Sequence, residues 1–190
     1  MSAATAFLPQ RHRITVDEYY RIAEAGIFKA DDRVELIEGE MLDMPPIGID
    51  HAYVVNRLTA ILIQSAGFTA NVSSQNPIRL NQRTEPQPDI ALLRYREDFY
   101  RHIRPSPEDV LLLVEVSDST LRYDKEIKLP LYARHGIPEV WIVDLEHSLL
   151  EVYCNPIDGN YLEKQCLVKG DGIAPKGLTE CWVDLDQLIG

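Results

Sequence analysis

Between Val110 and Val116 the chain reads Val-Leu-Leu-Leu-Val-Glu-Val, six apolar residues with a single carboxylate among them. Side chains of a strand alternate between its two faces, so an unbroken apolar run needs cover on both. Asp89-Ile90-Ala91-Leu92-Leu93 and Glu139-Val140-Trp141-Ile142-Val143-Asp144 have the same character. Three such strands call for helices above and below the sheet, which places the chain in the α/β class. The helices are legible too. Thr15-Val16-Asp17-Glu18 is a capping box, opening a helix that runs to Gly26. From Asp50, Val54, Val55, Leu58, Ile61 and Leu62 recur at helical spacing, and Gly67 ends that helix. Leu121 to His135 reads as a third helix closed by Gly136, in which Pro130 implies a kink or a late start. A strand pair turning at Glu38-Gly39 spans Arg33 to Met44, and a further strand, of poor alternation, spans Phe68 to Leu80. Beyond Ser148 the tail reads as a meander of strands with turns at Asn155-Pro156 and Asp158-Gly159. The middle of the chain is therefore helix, three strands, helix, strand.

Glu115 stands out in this pattern. An ionised carboxylate amid Leu113, Val114 and Val116 loses most of its hydration, so it must neutralise, find a cation or reach a cleft. Asp89 opens the preceding strand, directly after Pro88. Neighbouring strands lie ~5 Å apart, so two such carboxylates can share one divalent ion with ligand distances of ~2 Å. Plainer roles stay open: a strand-end salt bridge to a helix for Glu115, and a Pro-Asp turn for Asp89.

Other chemistries are excluded or weakened. The chain lacks G-x-G-x-x-G, G-x-S-x-G and H-E-x-x-H, and Gly172 to Thr179 imitates a phosphate-binding loop but carries Leu178 where lysine belongs. Cys154, Cys166 and Cys181 are odd in number and widely spaced, which indicates neither a disulfide framework nor a zinc site. No apolar run approaches the ~20 residues of a membrane span, and Met1 to Gln10 lacks the layout of a signal peptide. The cytoplasm is the default expectation, and a single domain over 1–190 suits the length. The net charge of −11 argues against a polyanionic partner, but its distribution weakens that argument. Glu139 to Gly190 holds 10 acidic and 3 basic residues, and so −7 of the total. Arg94 to Arg104, inside a long loop, holds four arginines, with further bases at Arg122, Lys125, Lys128 and Arg134. The middle of the chain could therefore face a phosphate backbone.

Pro88-Asp89 followed by Leu113-Val114-Glu115-Val116-Ser117 resembles the motif of the PD-(D/E)XK nuclease superfamily. The surrounding text is similar to one branch of it, the Uma-type restriction endonuclease family, once catalogued as a domain of unknown function. The matching pieces are Thr15 to Tyr19, Val34 to Glu40, His51, the Pro-Asp strand, Glu115 to Ser117, Asp124, Lys128, Tyr132 and Gly136 to Asp144. The resemblance implies a restriction-endonuclease-like αβββαβ core with a mixed central sheet, an N-terminal helix and a strand-rich C-terminal extension. It also implies Mg²⁺- or Mn²⁺-dependent hydrolysis of DNA phosphodiester bonds, with Asp89 and Glu115 as metal ligands. Ser117 stands where the superfamily pattern has lysine, and Lys128 on the next helix matches the displaced base, with Lys125 as second choice; an i,i+4 partner of Asp124 on a solvated face is the plain alternative for Lys128. Glu35 is expected as a third acid, with a solvent-facing position in an alternating strand as the plain alternative. His51 falls on the apolar face of its helix, where a hydrogen-bonded histidine is the plain reading. Double-strand cleavage implies a homodimer, with Leu149, Val152, Tyr153, Trp182 and Val183 as candidate interface residues. The alternative function is an inert nuclease-like fold that binds DNA or protein.

Overall fold

The apolar run at Val110 forms the strand β5 (Val110–Ser117), third in a six-stranded sheet of order β3-β4-β5-β6-β7-β8. The computed structural model describes residues 10–29 and 31–188; the leader reading for Met1 to Gln10 lies almost wholly outside them. The other strands of this sheet are β3 (Ala70–Ser74), β4 (Ile90–Arg94), β6 (Glu139–Asp144), β7 (Leu149–Ile157) and β8 (Asn160–Leu167). Only the β5–β6 pair is parallel, so the sheet is mixed as expected.

Both faces of β5 are covered. Leu112, Val114 and Val116 join a core with Val54, Leu58 and Leu62 of helix α2 (Ile49–Ala66). Val110 and Leu113 join a second core with Leu131, Tyr132 and Ile137 from the segment linking β5 to β6. That link comprises α3 (Leu121–Tyr123), a π turn (Asp124–Lys128) and α4 (Leu129–Arg134). The helix expected over this stretch is therefore not regular, and Pro130 is the physical reason. Its ring nitrogen cannot donate to the carbonyl four residues back, and the chain widens to an i→i+5 bond from Leu129 N–H to the Asp124 carbonyl.

The N-terminal helix α1 (Val16–Glu24) carries the predicted Thr15–Glu18 capping box. The strand pair β1 (Val34–Ile37) and β2 (Glu40–Asp43) turns at Glu38 and Gly39, both with positive φ. Two expectations need correction. The strand expected over Phe68 to Leu80 is confined to Ala70–Ser74, because Gln75 turns with φ 52° and Pro77 follows. No turn forms at Asn155-Pro156; β7 continues to Ile157, and the hairpin turns at Asp158-Gly159. Pro156 is tolerated because pairing with β6 ends at Cys154, so its missing N–H breaks no rung there.

The tail closes with two short strands, β9 (Gly172–Ile173) and β10 (Val183–Asp184), and Leu178, Cys181, Val183 and Leu185 fill the α2-side core. No helix among the described residues is long and apolar enough to cross a membrane.

Candidate active site

The site is built where β4, β5, the hairpin β1–β2 and the β5–β6 link converge. Register places Ile90 opposite Val114, so Asp89 stands one residue beyond, beside Glu115. Asp89 Oδ2 accepts the Val116 N–H at 2.8 Å and lies 3.1 Å from His51 Nε2. Gln75 Nε2 approaches Asp89 Oδ1 at 3.5 Å. Burial works to raise the Asp89 carboxyl, but His51, the Val116 N–H and the field of Lys128 outweigh it and hold it below its ordinary value.

Glu115 is 2% exposed. Its Oε1 accepts the Tyr132 hydroxyl at 2.5 Å, and its Oε2 lies 3.3 Å from Lys128 Nζ. Burial nevertheless raises this carboxyl well above its ordinary value, against the pull of Lys128, and the charges of Asp124, Asp89 and Glu35 push the same way. Lys128, 4% exposed, also meets Glu35 Oε1 at 2.9 Å and Asp124 Oδ1 at 4.0 Å. Burial alone would lower it, but Glu115, Glu35 and Asp124 together raise it well above its usual range, so it remains an ammonium. Glu35, in the middle of β1, is further fixed by the Gln87 N–H at 3.1 Å and the Tyr123 hydroxyl at 3.2 Å.

Asp89, Glu115, Lys128 and Glu35 thus line one cleft, together with His51, Gln87 and Asp124. Lys125 is elsewhere: it pairs at 2.8 Å with Glu151 on β7, which Lys164 also meets at 2.7 Å. Ser117 does not leave a gap where a lysine was expected. Its hydroxyl donates to Asp124 Oδ2 at 2.8 Å, and Thr120 adds a bond of 2.7 Å to the same oxygen. The structure thus adds Tyr132, Tyr123 and Gln87 to the constellation. The polar row Asp124, Lys128, Tyr132 at i, i+4, i+8 is the sequence signal that points to the first of these. Gln87 and Tyr123 carry no such signal, since their partner Glu35 lies far away in sequence.

The donor set suits a divalent cation in charge, because five carboxylates (Glu35, Asp89, Glu115, Asp118, Asp124) line a cleft whose basic side chains are Lys128 and Arg33. Among the described residues no three His, Cys, Asp or Glu side chains are gathered as a ligand cage. An ion held by two carboxylates, water and a substrate oxygen needs no such cage.

A mixed sheet, with acids at the ends of two adjoining strands and a buried lysine presented from the following helical link, defines a nuclease-like α/β protein. The chain belongs to the Uma2 family, described as “Putative restriction endonuclease”, whose match covers residues 16–186. The fold is similar to that of a protein from Anabaena variabilis ATCC 29413, described as a “putative nuclease belonging to DUF820”. The TM-score is 0.71 at 16% identity, over 92% of this chain and 97% of that one. No curated protein matches the sequence.

Proposed function

We propose that the protein is a metal-dependent endonuclease that hydrolyses DNA phosphodiester bonds. The observation that carries this reading is the ammonium of Lys128, held at 2.9 Å from Glu35 and 3.3 Å from Glu115 in a cleft that Asp89 also lines. Family membership supports it. Asp89 and Glu115 would hold Mg²⁺ or Mn²⁺, which when bound supplies Lewis-acid polarisation of a phosphoryl oxygen and offsets its charge. Lys128 contributes a fixed positive charge to the developing negative charge of the phosphoryl group, without cost of reorganisation. Glu35, anchored by Gln87 and Tyr123, sets the position of that ammonium. His51 and the Val116 N–H hold Asp89 as a carboxylate, the form a cation needs.

The second reading is an inert nuclease-like fold that binds DNA or protein, and the mutual ion pairing of Lys128, Glu35 and Glu115 is what favours it. Two measurements separate the two. Calorimetric titration with Mn²⁺ should give binding that Asp89→Asn and Glu115→Gln abolish. Cleavage of plasmid, linear and single-stranded DNA with Mg²⁺ or Mn²⁺ should be lost in the same variants, the missing ion costing several kcal/mol of transition-state stabilisation. Cleavage by Glu115→Gln at the parent rate would refute the site. Equal Mn²⁺ binding by both variants and the parent, without cleavage by any of them, would put the inert module in its place.

A further inference from the structure

A groove runs along β3, the terminal strand of the sheet, and its far wall is the loop carrying Phe99, Tyr100, Ile103 and Arg104. Its β3 wall ends beside the candidate site. Just past the end of β3, Gln75 donates its backbone N–H to the Asp89 carbonyl at 2.9 Å, besides its side-chain approach to that carboxylate. Asn71 and Ser73 share one face of β3, and register through Ala91 and Leu113 makes it the face that bears Glu115. From Asn71 to Gln75 the track extends about 13 Å at ~3.3 Å per residue.

Three features of this groove have no role in the chemistry assigned above. Asn71 is 4% exposed and its Oδ1 accepts the Arg96 N–H at 2.6 Å, yet its Nδ2 has no partner. A buried amide donor without an acceptor is costly, and groove-lining residues of this kind gain when a ligand supplies one. Phe99 is 69% exposed and, with Tyr100, forms two consecutive residues at positive φ, a conformation that is strained for bulky side chains. Tyr100 anchors the loop by donating its hydroxyl to the Arg94 carbonyl at 2.8 Å, while Phe99 is left facing solvent. Charge is the third feature. Arg94 and Arg96 are engaged within the loop, by the Glu108 carbonyl and by Asp98. Among the described residues, Arg101 and Arg104 are in no ion pair, and Arg104 rests over the Tyr20 ring at 5.5 Å.

We propose that this groove seats an unpaired stretch of the DNA strand being cut, one base stacking on Phe99, a phosphate meeting Arg104, and an acceptor atom satisfying Asn71 Nδ2. Stacking on an aromatic face requires a base whose own face is free, which an intact duplex does not offer. The substrate class is therefore DNA with a single-stranded segment beside the scissile bond. This rests on the nuclease reading of the Asp89 site for the strand to be cut, but the groove is tested without cutting.

The experiment is fluorescence anisotropy on the full chain carrying Glu115→Gln, in EDTA, with a labelled 12-nucleotide single strand and the blunt duplex of the same sequence. The single strand should bind about tenfold or more tightly than the duplex. In the same background, Phe99→Ala should weaken single-strand binding about tenfold, Phe99→Trp should restore it, and Asn71→Asp, which keeps the acceptor for Arg96 but loses the donor, should weaken it as well. Equal affinity for the two DNA forms would overturn the proposal, as would single-strand binding indifferent to Phe99→Ala. A change confined to oligomeric state in Phe99→Ala would overturn it too, assigning the groove to contacts between copies. An inactive protein that passes this test would refute only the catalytic reading.

Discussion

Tyr132 and Lys128 reach the two oxygens of Glu115, yet burial still holds this carboxyl well above its ordinary value. Such a group costs folding free energy once ionised. Because its folded pKa exceeds the unfolded one, the cost is absent below about pH 4 and grows as pH rises through the folded value. Glu115→Gln, which retains an acceptor for Tyr132, should therefore match the parent in urea denaturation at pH 4 and exceed it at pH 8, both in EDTA. A variant less stable than the parent at pH 8 would show that Lys128 more than offsets the burial. Lys128→Ala acts in the opposite sense. It leaves Glu35, Glu115 and Asp124 without their shared cation, a loss of about 3 kcal/mol or more at pH 8 that should shrink toward pH 5 as Glu115 and Asp124, whose carboxyls burial raises, take up protons. Its Mn²⁺ affinity should persist while cleavage falls, since an ammonium is no metal ligand.

At the scale of elements, the π turn and the β1–β2 hairpin decide which side chains enter the cleft. The π turn presents Asp124 and Lys128 toward β5, while Lys125 within the same turn reaches Glu151 on β7. The hairpin carries Glu35 and is held by its turn, where Gly39 has φ 80° and a Cβ would lie 2.6 Å from Arg13 Cβ. Its N–H also donates to the Arg83 carbonyl at 2.7 Å, and its carbonyl accepts from Ile14 at 3.1 Å. Gly39→Ala should cost about 2 kcal/mol or more, through the left-handed backbone and the clash together. Chemical denaturation measures this directly, and a loss below half that value would mean the hairpin yields easily.

For the molecule as a whole, the tail reverses an expectation about surface. Val152, Tyr153 and Val183 were candidates for an interface, but all three are buried within the chain, while Trp182 remains 60% exposed. A homodimer, which cutting both strands would call for, stays a proposal on symmetry and function, with Ile157, Leu162, Val168 and Trp182 exposed in that region. Light scattering at micromolar concentration should report twice the 21.6 kDa chain mass, and Trp182→Ser should shift it toward the monomer. A parent protein that scatters as a monomer would remove the dimer from the proposal.

The sequence by itself determined the strands β4, β5 and β6, because continuous apolar runs leave no alternative to a sheet covered on both faces. It also determined helix α2 from its spacing and the α1 cap from a local pair of side chains, and it placed Asp89 and Glu115 on neighbouring strands. What only the tertiary structure decided concerns partners far apart along the chain. The choice of Lys128 over Lys125 depends on the direction each side chain takes from a π turn that Pro130 foreshadows without specifying. The burial of Glu35 depends on Gln87 and Tyr123, 52 and 88 residues away. The inward turn of the tail depends on packing against α2. Periodicity and capping are local properties carried by neighbouring residues, whereas cleft membership and burial arise only when the sheet brings distant segments together.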